Sequence, residues 1–169
     1  MRNQFVITHV HYLLRKSFSP VLTHAAVVRL LESDGLDPQR ATAQQVRAAV
    51  VNVRKSKLPA PKEVGSAGSF FMNPVVPTAH AEALLAQHPQ MPHYPTSGGT
   101  KLPAGWLIEQ CGWKGRTLGR AGVHPLQALL LFNADHATGR DIQALAEAIQ
   151  HDVAARFGIE LHPEVIYIE

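Results

Sequence analysis

The sequence predicts an α+β fold in which a mixed sheet packs against helices. Residues 5–14 and 128–133 are β-branched, aromatic or aliphatic runs without breakers, which are typical of strands. Residues 141–157 carry apolar side chains at spacings of three and four, which predicts an amphipathic helix. The helical and strand patterns alternate irregularly with long loops, so their order favours α+β over a regular βα repeat.

After the first strand, an apolar stretch over residues 25–31 ends at an Asp-Gly turn. Thr42 and Gln45 form a capping-box pattern that opens a helix. Four apolar side chains share one face of this helix: Val46, Ala49, Val50 and Val53. Two prolines stop its continuation, so we place a domain boundary at about residues 58–62.

Residues 65–74 form the most unusual segment, because glycines and small residues lead into two phenylalanines and an Asn-Pro turn signal. The elements expected after it are, in order, a helix over 78–88, a loop over 89–101, a helix from Pro103 to Gly112, a strand over 128–133, the helix over 141–157 and a final strand over 165–168. Asp141 is expected to cap the long helix, and Gly158 is expected to end it.

The composition indicates one ordinary globular domain, or one domain with part of another. The 169 residues are 46% hydrophobic and 17% charged, which excludes a disordered chain. A single cysteine, Cys111, excludes an internal disulfide and a Cys-rich zinc site. No apolar run approaches the length of a membrane span, and the N-terminus has no signal-peptide core. We therefore expect no membrane partner and a cytoplasmic location.

The charge is distributed unevenly along the chain. The formal net charge is +3, with +6 over residues 1–60 and −3 over residues 61–169. The densest basic cluster, residues 54–57, has two interpretations. It complements the dipole at the end of a helix, or it binds a phosphate-bearing ligand or nucleic acid. Nucleic acid is the weaker alternative, because aromatic residues do not interleave with the basic stretch.

Common catalytic and cofactor motifs are absent from the sequence. It has no Gly-x-Gly-x-x-Gly and no Gly-x-x-x-x-Gly-Lys-Ser/Thr phosphate loop. The segment around Ser66 and Ser69 does not match the Gly-x-Ser-x-Gly nucleophile elbow. Ten histidines are present without a His-Glu-x-x-His motif, so we expect no metal site.

Seven segments, kept in order and spacing, together carry a family resemblance. They are Arg54-x-x-Lys57-Leu-Pro, Gly-x-Ala-Gly-Ser69-Phe-Phe-x-Asn73-Pro, Pro-x-Tyr94, Lys101-Leu-x-Ala-Gly-Trp-Leu-Ile-x-Gln-Cys-Gly-Trp-Lys-Gly, Val-His124-x-x-Gln127-Ala-Leu, Asn133-x-x-x-Ala-Thr-Gly and Pro163-Glu164-Val. From about residue 5 to its end, the chain resembles the UDP-N-acetylenolpyruvoylglucosamine reductases, also called UDP-N-acetylmuramate dehydrogenases. Met72 and Arg120 depart from the pattern, which usually has a lysine and a small residue at these positions.

The resemblance implies a flavoprotein oxidoreductase of peptidoglycan precursor synthesis. In that family NADPH reduces FAD, and the reduced flavin passes hydride to the enolpyruvyl group of UDP-N-acetylglucosamine enolpyruvate. The family's FAD domain lies N-terminal to the region matched. Residues 1–58 are thus expected to be the tail of a truncated FAD-binding domain, residues 59–160 the substrate-binding domain, and residues 161–169 a final strand returning toward the flavin domain.

The resemblance also assigns roles to residues. Ser69 is implied as the proton donor, and Glu164 as the second catalytic residue, acting at the substrate carboxylate. Four further residues are implied to hold the diphosphate, carboxylate and sugar nucleotide: Arg54, Lys57, Tyr94 and Lys101. Asn73 and Gln127 are implied as additional polar contacts. Taken in isolation, Ser69 would more often satisfy a turn, and Glu164 would more often be a surface carboxylate.

Two functional hypotheses stay open within this family. In the first, the chain is the substrate half of the reductase and requires a separate or lost FAD domain for activity. In the second, the chain is a catalytically inert fragment that binds the UDP-sugar.

Overall fold

The computed structural model describes residues 8–60 and 62–167. The chain divides into two compact units, residues 1–56 and residues 57–169. The first unit holds α1 (Ala25–Ser33), a single 3-10 turn (Pro38–Arg40) and α2 (Ala43–Lys55). The second holds β1 (Ser66–Ser69), β2 (Val75–Val76), α3 (Thr78–Gln87), β3 (Tyr94–Thr96), β4 (Gly99–Lys101), α4 (Ala104–Gln110), β5 (Thr117–Leu118), β6 (Ala121–His124), β7 (Gln127–Asn133) and α5 (Gly139–Phe157).

In the first unit, α2 begins with the predicted capping box. The Thr42 hydroxyl accepts a hydrogen bond from the Gln45 N–H at 3.3 Å, and Gln45 Oε1 accepts one from the Thr42 N–H at 2.8 Å. The two bonds satisfy donors that would otherwise lack partners at the start of α2. A small core lies between the helices and consists of Val27, Leu31, Ala41 and Ala49. On the predicted apolar face of α2, Val50 remains 39% exposed.

The predicted strand over residues 5–14 is wrong for the residues that the structure describes. Residues 8–14 are irregular, and Tyr12 and Leu13 are fully or largely exposed. Residues 5–7 lie outside the described part of the chain. A strand forms only when another strand pairs with its N–H and C=O groups, and the described residues supply none here.

The described residues of the second unit form two sheets. One has the strand order β1-β7-β6-β5, and the other has the order β2-β4-β3. The α+β class is confirmed. In one respect the structure differs from the prediction, because every strand pair among the described residues is antiparallel and the sheets are not mixed. Short hairpin connections join β3 to β4 and β5 through β7, and such connections give antiparallel pairs.

Helices α4 and α5 pack against the larger sheet, α4 on β7 and α5 on β6 and β7, and the core lies between them and the sheet. Of the α5 positions that recur at three and four, Leu145, Ile149, Val153 and Phe157 are buried, and Ile142 is partly buried. Thr138 is the N-cap of α5, and Asp141 occupies the third helical position of a capping box. The prediction that Asp141 itself caps the helix is therefore wrong by three residues. The helix ends at Gly158, as predicted.

The C-terminal segment does not form the predicted strand over residues 165–168 within the described range, which ends at residue 167. Instead, an isolated antiparallel bridge joins Phe71 to Pro163. The Met72 N–H donates to the His162 carbonyl at 2.9 Å. Proline has no N–H, so it limits how far such a ladder can extend. The roles expected for residues 1–58, 59–160 and 161–169 as parts of a reductase stay predictions.

Candidate functional site

Ser69 and Glu164 line the same cleft because the backbone of Phe70, which lies between their segments, is hydrogen-bonded on both sides. The Phe70 N–H donates to the Leu129 carbonyl of β7 at 2.8 Å, and the Phe70 carbonyl accepts from the Glu164 N–H, also at 2.8 Å. Ser69 and Glu164 consequently line one open cleft of about 410 Å³, together with Ala67 and Val165. We call this the Ser69–Glu164 cleft.

The local sequence explains why Ser69 is presented at this place. Gly68 has a φ of 78° where the β1–β7 register shifts, a conformation that side-chain-bearing residues rarely adopt. Phe70 and Phe71 follow, both almost fully buried, with ring centroids 5.1 Å apart in an edge-to-face arrangement. The buried rings anchor the segment, and the Ser69 side chain is left exposed at its end.

Tyr167 packs on the same aromatic group, with its ring centroid 6.3 Å from that of Phe70. Partial burial raises the pKa of its phenol, and the nearby Glu147 carboxylate raises it further. Tyr167 is therefore an uncharged hydrogen-bonding group at neutral pH.

Asn73 and Gln127 line a second cleft of about 320 Å³. Asn73 Oδ1 accepts a hydrogen bond from the Ala104 N–H at 2.9 Å, at the start of α4. Gln127 Oε1 accepts one from the Leu129 N–H at 3.3 Å. With both carbonyl oxygens engaged, the two amide NH₂ groups remain as donors. We call this the Asn73–Gln127 cleft; its other lining residues are Pro103, Gly105, Trp106, Glu109, Lys114, Leu126, Ala128 and Leu129.

Tyr94 and Lys101 are cross-strand partners on β3 and β4. The Lys101 Nζ lies 5.9 Å from the centroid of the Tyr94 ring, within the range of a cation–π contact. Both side chains are exposed. The Leu102 N–H, directly after Lys101, donates to the Pro74 carbonyl at 2.9 Å, which ties this pair to the Asn73 segment.

The remaining predicted residues lie apart from these pairs. Lys57 is exposed at the start of the second unit and lines neither cleft. Arg54 belongs to the first unit, where it is exposed in the last turn of α2. The structure thus brings together Ser69 with Glu164, Asn73 with Gln127, and Tyr94 with Lys101.

Glu109 and Lys114 are residues of the Asn73–Gln127 cleft to which sequence reasoning assigned no role. Their side chains form an ion pair with an Nζ–Oε1 distance of 2.8 Å. The signal available in the sequence was the Trp-Lys-Gly end of the long motif that starts at Lys101. That motif does not show which of its side chains face a cleft.

In residues 8–60 and 62–167, no three His, Cys, Asp or Glu side chains are grouped so that they could hold a metal ion. None of the helices described there is long and apolar enough to cross a bilayer.

Comparison with known proteins decides the family. Residues 60–168 match the C-terminal domain of UDP-N-acetylenolpyruvoylglucosamine reductase. The chain belongs to this family. The predicted resemblance to the UDP-N-acetylenolpyruvoylglucosamine reductases is therefore confirmed.

Individual relatives carry the same name. The chain is 52% identical to the UDP-N-acetylenolpyruvoylglucosamine reductase of Burkholderia multivorans over 166 residues, which are 98% of this chain and 48% of the relative. It is 51% identical to that of Burkholderia ambifaria over 168 residues, 99% of this chain and 48% of the relative. The chain thus spans about half the length of the curated relatives it matches.

Proposed function

We propose that this chain is the substrate-binding and proton-donating half of a UDP-N-acetylenolpyruvoylglucosamine reductase, the UDP-N-acetylmuramate dehydrogenase of peptidoglycan precursor synthesis. The observation that carries the proposal is the shared cleft of Ser69 and Glu164, held by the two backbone hydrogen bonds of Phe70. Membership of the reductase family and the matching names of the relatives support it.

The chemistry explains the two residue types. Hydride addition to an enolpyruvyl double bond places charge next to the carboxylate, and the neighbouring carbon must then receive a proton. The Ser69 hydroxyl is the proton donor, and Glu164 acts at the substrate carboxylate. Because a hydroxyl is a weak acid, Ser69 needs help from a donor or a cation. Lys57 is proposed for this assistance, although it does not line the Ser69–Glu164 cleft.

The two clefts suggest how the substrate is oriented, and we propose the following arrangement. Ser69 and Asn73 are four residue steps apart, which is about 13 Å when the chain is extended. The enolpyruvyl group lies in the Ser69–Glu164 cleft at one end, and the nucleotide lies toward the Asn73–Gln127 cleft at the other. Tyr94 and Lys101 contact the sugar nucleotide beside Asn73, and Lys57 is proposed to neutralise its anionic groups. The substrate-binding role of Arg54, which belongs to the first unit, stays a prediction.

The cofactors are proposed to bind mainly outside this chain. The described residues hold no glycine-rich phosphate turn, and the Ser69–Glu164 cleft is small and open, so they do not fit a site for the FAD pyrophosphate. We assign FAD and NADPH to the half of the relatives that this chain does not span. When bound there, the flavin supplies the hydride. A cytoplasmic location stays a prediction.

A complementation assay tests the proposal. The purified chain is mixed with the other half of the Burkholderia multivorans relative, and NADPH oxidation is followed with FAD and UDP-N-acetylglucosamine enolpyruvate present. We expect turnover only with both halves, and loss of it with Ser69→Ala. Ser66→Ala is the matched control, because Ser66 is an exposed serine of the same strand that does not line the cleft. Turnover by the chain alone would contradict the assignment of FAD to the other half.

A second candidate function is a catalytically inert UDP-sugar-binding fragment. The observation that favours it is the poor fit of the described residues to FAD. In that case the chain binds UDP-sugar, the flavin half does not restore turnover, and Ser69→Ala leaves the affinity unchanged.

A further inference from the structure

We infer that Tyr167 is a positioning residue for the reaction, and that its ring holds the segment carrying Glu164 in place at the Ser69–Glu164 cleft. The inference rests on the proposed function, because it takes Glu164 as a group that acts at the substrate carboxylate. Sequence reasoning gave Tyr167 no role. The side chain of Glu164 is exposed, and the ring of Tyr167 accounts for how this exposed carboxylate is kept in one place.

Backbone hydrogen bonds hold the C-terminal segment as far as Glu164. The Met72 N–H donates to the His162 carbonyl at 2.9 Å, and the Glu164 N–H donates to the Phe70 carbonyl at 2.8 Å. In the part of the chain that the structure describes, residues 165–167 form no backbone hydrogen bond. Side-chain contacts therefore hold the segment beyond Glu164.

The Tyr167 ring makes such a contact, on the same residue that the Glu164 backbone binds. The ring centroids of Tyr167 and Phe70 are 6.3 Å apart at an interplanar angle of 64°, an edge-to-face arrangement. Phe70 is almost fully buried and packs edge-to-face on Phe71, so Tyr167 rests on a fixed ring. The segment is thus attached to Phe70 at two points, by the main chain of Glu164 and by the ring of Tyr167.

The ring of Tyr167, and not its hydroxyl, makes the attachment. An edge-to-face contact is formed by ring atoms that phenylalanine also has. Phenylalanine at this position should therefore hold the segment, whereas alanine should release it. Between the two attachment points, Val165 is partly buried against the core of the second unit, and Ile166 is 73% exposed.

Loss of the Tyr167 ring should loosen Glu164 without moving Ser69. The segment that carries Ser69 has its own anchor, because the Phe70 N–H donates to the Leu129 carbonyl at 2.8 Å. A displacement of about 1 Å in an acting group can cost about 10²-fold in rate. Tyr167 lines neither cleft, so its loss should lower kcat and leave KM nearly unchanged.

Amide hydrogen exchange of the full chain, followed by NMR, tests the attachment. Tyr167→Ala should speed exchange of the Glu164 N–H about fivefold, because its hydrogen bond to Phe70 opens more often. Tyr167→Phe should leave this rate unchanged. The Phe70 N–H, which is bonded to Leu129, is the internal control. Its exchange should stay the same in both variants, which also shows that they are folded.

Turnover of the reconstituted enzyme tests the consequence for the reaction. Tyr167→Ala should lower kcat at least about tenfold and change KM by less than about twofold, and Tyr167→Phe should keep the original kcat. In the Glu164→Gln background, Tyr167→Ala should lower kcat by less than about twofold, because the group that it positions is already absent. Ile166→Ala is the matched control: Ile166 is an exposed residue of the same segment, so kcat should stay within about twofold.

The outcomes separate the inference from the proposed function. If the unmodified enzyme turns over and Tyr167→Ala has the same kcat, the inference is wrong and the proposed function stands. An unchanged exchange rate of the Glu164 N–H in Tyr167→Ala would also overturn it. So would an undiminished loss of kcat in the Glu164→Gln background, which would give Tyr167 a role independent of Glu164. If the unmodified enzyme does not turn over, the proposed function fails, and the inference fails with it.

Discussion

The backbone N–H of Glu164 donates a hydrogen bond to the carbonyl oxygen of Phe70 at 2.8 Å. Phe70 directly follows Ser69, so this bond sets the C-terminal segment beside the candidate proton donor. The link is made by main-chain atoms. Replacing the side chain of Ser69 or Glu164 should therefore leave the cleft in place, which makes functional and structural effects separable.

Ser69→Ala and Glu164→Gln should each reduce turnover of the reconstituted enzyme by about 10²–10⁴-fold, because each removes a group that acts on the reacting atoms. Both side chains are exposed, so the free energy of unfolding should change by less than about 0.5 kcal/mol. NADPH oxidation and urea unfolding measure the two quantities. A loss of turnover that is accompanied by a large decrease in the free energy of unfolding would indicate a structural role instead.

Gly99→Ala should disrupt the β3–β4 hairpin that pairs Tyr94 with Lys101. Gly99 has a φ of 132°, and a Cβ at this position would overlap the carbonyl oxygen of Val76. We expect a loss of about 3 kcal/mol in the free energy of unfolding, measured by urea titration.

Gly98→Ala is the control for this change. A Cβ at Gly98 would meet no atom within 4 Å. The free energy of unfolding of this variant should therefore differ from that of the original chain by less than about 0.5 kcal/mol. Similar stability of the two alanine variants would show that the hairpin tolerates a side chain at Gly99.

Gly105→Ala should stabilise the fold while it weakens UDP binding. Gly105 lies in α4, where alanine is preferred to glycine by up to about 1 kcal/mol. The added Cβ would lie 3.4 Å from Leu129 Cγ and 3.8 Å from Gln127 Oε1, so it fits but narrows the Asn73–Gln127 cleft. Thermal unfolding and UDP titration measure the two effects.

Gly139→Ala is the matched helical control for Gly105→Ala. Gly139 lies in the first turn of α5, and a Cβ there would meet no atom within 4 Å. This variant should leave UDP affinity unchanged. Unchanged affinity in Gly105→Ala as well would mean that UDP does not occupy this cleft.

Thermal stability should fall in acid partly because of Asp141. The backbone N–H of Thr138, and then its hydroxyl, donate to this carboxylate and hold its pKa below the ordinary value of 3.8. Because the folded-state pKa is the lower one, the ionised carboxylate stabilises the fold above the unfolded pKa, and this contribution is lost as the pH falls through the folded pKa. Tm measured as the pH is lowered from 7 should show Asp141→Asn less stable at pH 7, and its difference from the original chain should shrink as the pH falls through the folded-state pKa.

Asp135→Asn is the control for the acid transition, since Asp135 lies in the preceding loop and caps no helix. Its Tm profile should follow that of the original chain. A difference between Asp141→Asn and the original chain that does not shrink as the pH falls would contradict the capping mechanism.

Cys111 should react slowly with iodoacetamide at neutral pH. Burial raises the pKa of its thiol, the Arg156 guanidinium lowers it, and the Asp152 carboxylate raises it. Arg156→Gln removes the favourable charge and should slow the reaction further, whereas Arg140→Gln at the other end of α5 should not. Faster alkylation in Arg156→Gln would show that Arg156 shields the thiol instead of stabilising its anion.

Local signals predicted the helices well. The Thr42–Gln45 capping box and the three-and-four spacing in α5 depend on residues close in sequence, and both are present in the structure. The cap of α5 was placed at Asp141 because an acidic residue alone resembles an N-cap, while the complete box starts at Thr138. The strands predicted over residues 5–14 and 165–168 do not form within the described residues, because a strand also requires a partner that composition does not reveal.

The sequence by itself determined the family, the α+β class and the residue types of the candidate site, because ordered motifs and short-range periodicity are properties of the chain alone. Tertiary structure alone decided that Ser69 shares a cleft with Glu164, and that Asn73 shares one with Gln127, Glu109 and Lys114. The two shared clefts depend on hydrogen bonds and buried contacts between segments that are distant in sequence, such as the hydrogen bonds of Phe70 with Leu129 and Glu164. No local pattern encodes which distant partner a backbone group will find.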